Sequence, residues 1–511
     1  MSLVLILLSI LSLTYSHTIP YNSTCLDPDY VDLAPFNATL IQSAYYVPHA
    51  KNVSGTFNKY SFCEINGTVS YGDNDTLAFT VWLPDNSDFR DRFLAVGNGG
   101  MAGVIDFASM LSQLNSGLGF AVAGGDSGHL ASNNNDGGGA PGIYLPYLHD
   151  QDQLEAWIHN GISLFTPAAR ALVNGYYAKP PKYSYYAGCS TGGAQGYALA
   201  QFHPELFDGI YAGCPGNWYS HLALSFLWNA QQTDTKEKNL TQAQLTFIRD
   251  SVVDACDEVD GVKDGLIENP LACKFDVETL LCTTGQTSST NGTVTCLTSD
   301  QLDAVKAIYA GPKRSDTGAE VYPGFSFGSE SEWIQQEGEL ANAFSIPILQ
   351  NLVFDDLTYN ASTFNWASDV DTLDKNAGTF IDEIDPDLSA FNGKFLTHQG
   401  WTDPFNAATW PIQHRKQVEA ATKGDIGEWY RLFMVPGGGH CGPAATYPGV
   451  PSNYHFVEAL VSWVENGSAP TQVLSTSVDG GKKTRKLCPW SETAKYCGGN
   501  VDDWESYECS L

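Results

Sequence analysis

Residues 183–202 read YSYYAGCSTGGAQGYALAQF. An apolar, strand-forming run ends at Ala187, a Gly-Cys-Ser-Thr-Gly turn follows at 188–192, and a helix rich in small residues is predicted to run to about Phe202. A serine on a sharp turn between a strand and a helix is exposed at the end of both elements. Glycines two before and two after it let the backbones close in. In a chain of 511 residues the G-x-S-x-G pattern alone is a weak signal. Its surroundings give it weight.

Outward from this turn, Leu77–Leu83 and Phe93–Val96 alternate in polarity and end in turn residues, and 117–123 reads as a buried strand. Residues 152–177 place Leu154, Trp157, Ile158, Ile162 and Phe165 at helical spacing. Phe207–Ala212 reads as a further strand. Strands alternating with helices imply a largely parallel sheet covered on both faces. The rhythm breaks after about Asn217, in an irregular Trp- and Asn-rich stretch with a low-complexity loop at 283–293. Strand character returns at 394–398 and 431–436. The fold class expected is α/β: an α/β-hydrolase core at 17–216 and 386–511, with the C-terminal tail in the second part, interrupted by a lid domain at 217–385.

That fold orders its catalytic residues Ser, acid, His. Downstream of Ser190, Gly400-Trp401-Thr402-Asp403-Pro404 and Gly437-Gly438-Gly439-His440-Cys441 each follow a predicted strand. The insertion accounts for the long gap before the acid. Ser190 is therefore read as the nucleophile, His440 as the base and Asp403 as the group that orients the imidazole. Thr191 offers the amide after the nucleophile, and Gly97-Asn98-Gly99-Gly100 follows a strand, so Gly99 or Gly100 is a candidate second oxyanion donor. His398 is a competing base, but it sits inside a predicted strand, where a packed histidine is the plainer reading. His129, His149, His159, His203 and His221 lack a comparable context. Cys189 precedes the serine and Cys441 follows the histidine. If Ser190 and His440 are neighbours, a Cys189–Cys441 disulfide is within reach. It would tie the two together across about 250 residues, a closure that loop-entropy models value at about 5 kcal/mol.

Acids outnumber Lys plus Arg by 57 to 26, and the net charge of −31 argues against nucleic acid or an anionic membrane as partner. The run MSLVLILLSILSLTYS at 1–16 reads as a secretory signal peptide without a basic start, cleaved near Ser16. N-x-S/T sequons begin at Asn22, Asn37, Asn52, Asn66, Asn74, Asn239, Asn291, Asn360 and Asn466. The 12 cysteines lack C-x-x-C metal spacing. These features point to a secreted, glycosylated, disulfide-bonded protein.

The joint occurrence of GNGG at 97–100, GCSTGG at 188–193, CDEVDGVKDGLIENP at 256–270, GWTDP at 400–404, GGGHC at 437–441, WVENGSAP at 463–470 and KLCPW at 486–490 resembles the fungal tannase and feruloyl esterase family over nearly the whole mature chain. The resemblance implies an α/β-hydrolase core with a lid and activity on esters of phenolic acids. Feruloyl esters are the preferred substrate class and gallate esters the alternative, presented free or on polysaccharides and polyphenols. A non-catalytic secreted binding protein and a peptidase on the same scaffold are the readings from other classes. Carboxylates spaced by three and four residues on a glycine-containing turn suit Ca²⁺ as well as they suit a solvated acidic turn. The resemblance implies a structural calcium in the lid, held by the side chains of Asp257, Asp260 and Asp264 and the backbone oxygens of Val262 and Leu266. The lid is expected to lack a large core of its own. The resemblance further suggests the pairs Cys25–Cys63, Cys256–Cys273, Cys282–Cys296 and Cys488–Cys509. Cys214 and Cys497 depart from its pattern, and their pairing, with each other or with a cysteine named above, stays open. Trp218, His221, Phe226, Trp228, Trp333, Phe344 and Trp366 are lid residues able to meet an aromatic acid or to pack.

Overall fold

Ten strands form the central sheet: β1 (Ala38–Leu40), β2 (Tyr45–Val47), β3 (Phe62–Tyr71), β4 (Asp75–Pro84), β5 (Arg92–Val96), β6 (Phe120–Gly125), β7 (Tyr183–Cys189), β8 (Gly209–Gly213), β9 (Lys394–Gly400) and β10 (Tyr430–Val435). The order across the sheet is β1-β3-β4-β6-β5-β7-β8-β9-β10, with β2 also paired to β3. The structure, a computed structural model, describes residues 25, 31–41, 44–133, 138–290 and 293–511. The leader read at 1–16 and the sequons at Asn22 and Asn291 lie outside the described residues.

The six strands from β6 to β10 across this order are parallel, as expected. The other part of the sheet departs from the expectation: β1, β2, β4 and β3 pair antiparallel, and β4 joins β6 antiparallel. The connection from β3 to β4 explains this. It is a tight turn at 72–74, and only antiparallel neighbours can be joined so briefly.

Successive side chains of a strand face opposite ways, and the two faces of the sheet differ accordingly. Phe93 and Ala95 pack on one face with Phe165, with Ala169 and Leu172 of α3 (Thr166–Tyr177), which Phe165 precedes, and with Leu199 of α4 (Thr191–Phe202). Leu94 and Val96 pack on the other with Met110 and Leu111 of α1 (Phe107–Leu114) and Phe456 and Leu460 near the C-terminus. Both faces are covered, so the parallel strands are buried along most of their length.

The helical run expected over 152–177 is two helices, α2 (Gln151–Trp157) and α3. Pro167 explains the break, since a proline fits the first turn of α3 and cannot continue a helix from upstream. After β8 the chain leaves the sheet and returns only at β9. In between, α5 (Tyr219–Gln232) packs over the core, and α6 (Gln242–Cys256) and α7 (Ser299–Ala310) build a separate cluster. That cluster contains Leu245, Ile248, Val252, Leu302, Val305, Ile308 and Trp333, all buried. The expectation of a lid without a sizeable core is therefore corrected. Its apolar residues recur at three and four, but are scattered among polar ones that hide the pattern in the sequence.

Candidate active site

The β7–α4 turn is built on close approach. A Cβ on Gly188 would lie 2.5 Å from the Gly192 oxygen, and one on Gly97 would lie 2.8 Å from the Gly192 Cα. Only glycines let the serine turn and the loop after β5 meet. Ser190 takes φ +63° and ψ −122°, a backbone state costing on the order of 1–3 kcal/mol. Three hydrogen bonds hold it there: Ser190 N–H donates to Gly213 O at 3.0 Å, and Ser190 O accepts from Ala194 N at 3.1 Å and Gly216 N at 3.2 Å.

Asp403 and His440 follow β9 and β10, which are adjacent parallel strands. The imidazole Nδ1 donates to Asp403 Oδ2 at 2.9 Å. The carboxylate also accepts from Gln399 Nε2 at 2.8 Å and from the amides of Phe405 at 2.8 Å and Asn406 at 3.1 Å. Burial works to raise the pKa of Asp403, but His440 and these donors outweigh it and hold the carboxyl below its ordinary value. The other imidazole nitrogen, Nε2, is buried with no hydrogen-bond partner among the described residues. The Cys189–Cys441 disulfide is present, with Cα atoms 5.8 Å apart. Ser190 and His440 thus flank one bridge. The other pairs suggested by the resemblance are also formed: Cys25–Cys63, Cys256–Cys273, Cys282–Cys296 and Cys488–Cys509.

Cys214 and Cys497 bond neither each other nor another cysteine; Cys497 is exposed, whereas Cys214 is buried beneath the His440 loop. Its sulfur accepts from Cys441 N at 3.4 Å and lies 3.6 Å from His398 Nε2. His398 is a packed histidine. Burial pushes it down to about 3, so it is neutral, and Tyr211 Oη lies 3.0 Å from its Nδ1.

On the oxyanion side, Thr191 opens α4, so its N–H is free of the helix ladder. Thr191 Oγ1 donates to Gly100 O at 2.7 Å, which sets Gly99-Gly100 beside the serine turn. Below them lies a buried polar network absent from the sequence reading. Asn98 Nδ2 donates to Ser127 Oγ at 2.9 Å, and Gln195 Nε2 donates to Asn98 Oδ1 at 3.0 Å and Trp157 O at 2.9 Å. A glutamine on the buried face of the helix after the serine was its only sequence signal.

Phe405 stacks on the His440 ring with centroids 4.4 Å apart, and Phe226 meets Phe405 at 6.2 Å and Phe344 at 6.0 Å. These two lid phenylalanines continue an aromatic wall from the imidazole. Trp333 is core, Trp228 and Trp366 pack on each other, and Trp218 stacks on His221.

In the acidic turn, Asp257 accepts from the amides of Asp264 and Gly265, Asp260 from Val262 N, and Asp264 from Leu266 N. Arg485 pairs with Asp264 Oδ2 at 2.5 Å and Glu268 Oε2 at 2.8 Å. Asp260, Asp264 and Glu268 are largely buried against this one guanidinium, and Asp257 is buried in the same turn. Asp260 Oδ2 has no hydrogen-bond donor among the described residues, and burial pushes its carboxyl up to about 6. The charge is unbalanced and the donors are hard oxygens, which fits a divalent cation such as Ca²⁺.

A family model described as tannase and feruloyl esterase matches residues 63–510. A protein of Neosartorya fischeri described as "Probable feruloyl esterase B-1" is 30% identical over 92% of this chain and 92% of its own. The crystal structure of feruloyl esterase B from Aspergillus oryzae superposes with a TM-score of 0.80 at 27% identity, covering 93% of this chain and 97% of the other. Tannin acyl hydrolase from Aspergillus niger superposes with a TM-score of 0.78 at 21% identity, over 95% and 94%.

Proposed function

Because the chain belongs to the tannase and feruloyl esterase family and is a carboxylic ester hydrolase, we propose that it is a secreted serine esterase cleaving feruloyl and related hydroxycinnamoyl esters of plant material. The observation that carries this reading is the strained Ser190 turn bridged through Cys189–Cys441 to a histidine already paired with a buried aspartate.

In this reading, Ser190 Oγ attacks the ester carbonyl and its proton passes to His440 Nε2. Asp403 keeps the Nδ1–H tautomer and balances the imidazolium. The tetrahedral oxyanion takes the amides of Thr191 and of the Gly99-Gly100 loop. The intermediate collapses, and the leaving alcohol takes the proton from His440. Water, deprotonated by the same imidazole, then attacks the acyl group on Ser190; the acyl–Oγ bond breaks, the imidazolium returns its proton to Ser190 Oγ, and the phenolic acid leaves. The aromatic wall of Phe405, Phe226 and Phe344 offers a face for a phenolic ring. The relatives named as feruloyl esterases support the choice of hydroxycinnamates.

The lid calcium is part of the proposal. Asp257, Asp260 and Asp264, with the carbonyls of Val262 and Leu266, would hold an ion that neutralises the buried acids and takes no part in ester cleavage. Secretion agrees with the five disulfides and with the exposure of Asn37, Asn52, Asn74, Asn239, Asn360 and Asn466; Asn66 lies half-buried on β3. The function is tested with methyl ferulate, p-coumarate, caffeate and gallate beside Ser190→Ala. Hydroxycinnamate turnover lost in the variant is the expected result. Turnover of gallate alone would make it a tannase, and no turnover would remove the esterase reading for these esters.

A further inference from the structure

Three side chains from three helices converge on the carbonyl oxygen of Gly100. Thr191 Oγ1 of α4 donates to it at 2.7 Å, Trp157 Nε1 of α2 at 3.3 Å and Tyr219 Oη of α5 at 3.3 Å. One donor would satisfy the oxygen; three from separate elements fix the plane of the Gly100–Met101 peptide. The preceding peptide is fixed too, since Gly99 O accepts from Ala102 N at 2.9 Å. In a trans peptide the N–H lies opposite the C=O, so the Gly100 N–H points out of that turn. It has no acceptor among the described residues. Gly100 stands between the two fixed peptides at φ +58°, a conformation glycine adopts freely.

The supporting rings are themselves packed. Trp157 meets Tyr219 edge-on with centroids 4.9 Å apart, and Tyr147 meets Trp157 at 5.6 Å. All three are buried. Burial pushes the Tyr219 phenol above its ordinary value, so it remains a donor through the neutral range. Tyr219 is also the first residue of the helix that leads from the sheet into the lid. The lid thus reaches the glycine loop through this hydroxyl.

We propose that Tyr219 is a positioning residue for ester cleavage: with Trp157 and Thr191, it anchors the Gly100–Met101 peptide and so fixes Gly100, whose own N–H, in the preceding peptide and beside the Thr191 N–H, faces the oxyanion formed on Ser190. The proposal rests on the serine-esterase reading above. Tyr219 touches neither substrate nor nucleophile in this role. It acts through Gly100, whose carbonyl it anchors, so its removal weakens transition-state binding and spares ground-state binding.

The test is Tyr219→Phe, which keeps the ring and deletes the hydroxyl. Losing an oxyanion donor outright costs about 10²–10³ in kcat; losing one of the three hydrogen bonds that anchor the donor residue's carbonyl should cost about three- to tenfold. On the methyl ester that the wild type turns over fastest, kcat is expected to fall by that factor with KM unchanged. Affinity for phenylboronic acid, which adds to Ser190 and sets a boronate oxygen where the oxyanion forms, should fall equally. Tyr359→Phe, which removes a lid hydroxyl donated to Asp369, should change neither. Unaltered kcat and inhibitor affinity in Tyr219→Phe overturn the proposal, whatever its melting temperature. A raised KM with intact kcat overturns it too, since the hydroxyl would then act on the substrate. Failure of the underlying reading shows separately, as a Ser190→Ala variant with wild-type turnover or a wild type that cleaves no ester, and then both fall.

Discussion

At the scale of the residue, Asp403 carries the sharpest consequence. Its carboxylate is fully buried and held ionised by an imidazole, a glutamine amide and two backbone amides. Asp403→Asn keeps the shape, loses the charge and favours the wrong histidine tautomer, so kcat should fall about 10³–10⁴-fold in steady-state assays. The stability effect has a sign. The folded carboxyl titrates below its unfolded value of about 4. Its contribution is present above that pH and is lost as pH falls through the lower folded value. The gap in melting temperature between wild type and Asp403→Asn should therefore be widest above pH ~4 and close below it. The turns that carry Ser190, Asp403 and His440 were legible in the sequence, because each is short, glycine-marked and follows a strand. Cys214 was not, because its contact with the Cys441 amide joins positions 227 apart.

Elements are held in register by links whose value depends on what they join. The Cys189–Cys441 bridge spans 252 residues and joins the β7–α4 turn to the loop after β10, whereas Cys282–Cys296 spans 14 within the lid. Loop entropy assigns them about 5 and 3 kcal/mol, so both double Cys→Ser variants should melt earlier. Only the first should also lower kcat, by tenfold or more, because it frees the serine turn from the histidine loop. Equal kcat losses would show that the bridge acts on stability alone. In the lid, Glu330 accepts from Tyr309 Oη at 2.5 Å and is buried with no ion pair among the described residues, and burial raises its carboxyl to about 7. A raised folded value means stability is lost as pH rises from about 4.5 to about 7. Glu330→Gln should flatten that decline in a melting series across pH 5–8, whatever its absolute offset.

For the whole molecule, the acidic turn connects the lid to the C-terminal strands. Arg485 lies on Thr484–Leu487, and Glu268 also accepts from Ala494 N at 2.9 Å. An ion here would brace the lid against the tail. EDTA should lower the melting temperature by several degrees, and Ca²⁺ should restore it while Mg²⁺ at the same concentration restores less, since Mg²⁺ resists so irregular an oxygen set. Turnover per folded molecule should survive the treatment. A melting temperature indifferent to EDTA would remove the calcium proposal and leave Arg485 as the charge partner of the turn.

Short-range order was readable from the chain alone: the serine turn, the order of Ser, Asp and His, the strands around them and the acidic loop are each written within a few neighbouring residues. Backbone sterics and side-chain alternation act over that range. The antiparallel part of the sheet, the lid's own core, the buried place of Cys214 and the meeting of Trp157, Thr191 and Tyr219 on one carbonyl were decided by packing. Each depends on which surfaces bury each other, and residues 157, 191 and 219 become neighbours only when α2, α4 and α5 close over the same glycine loop.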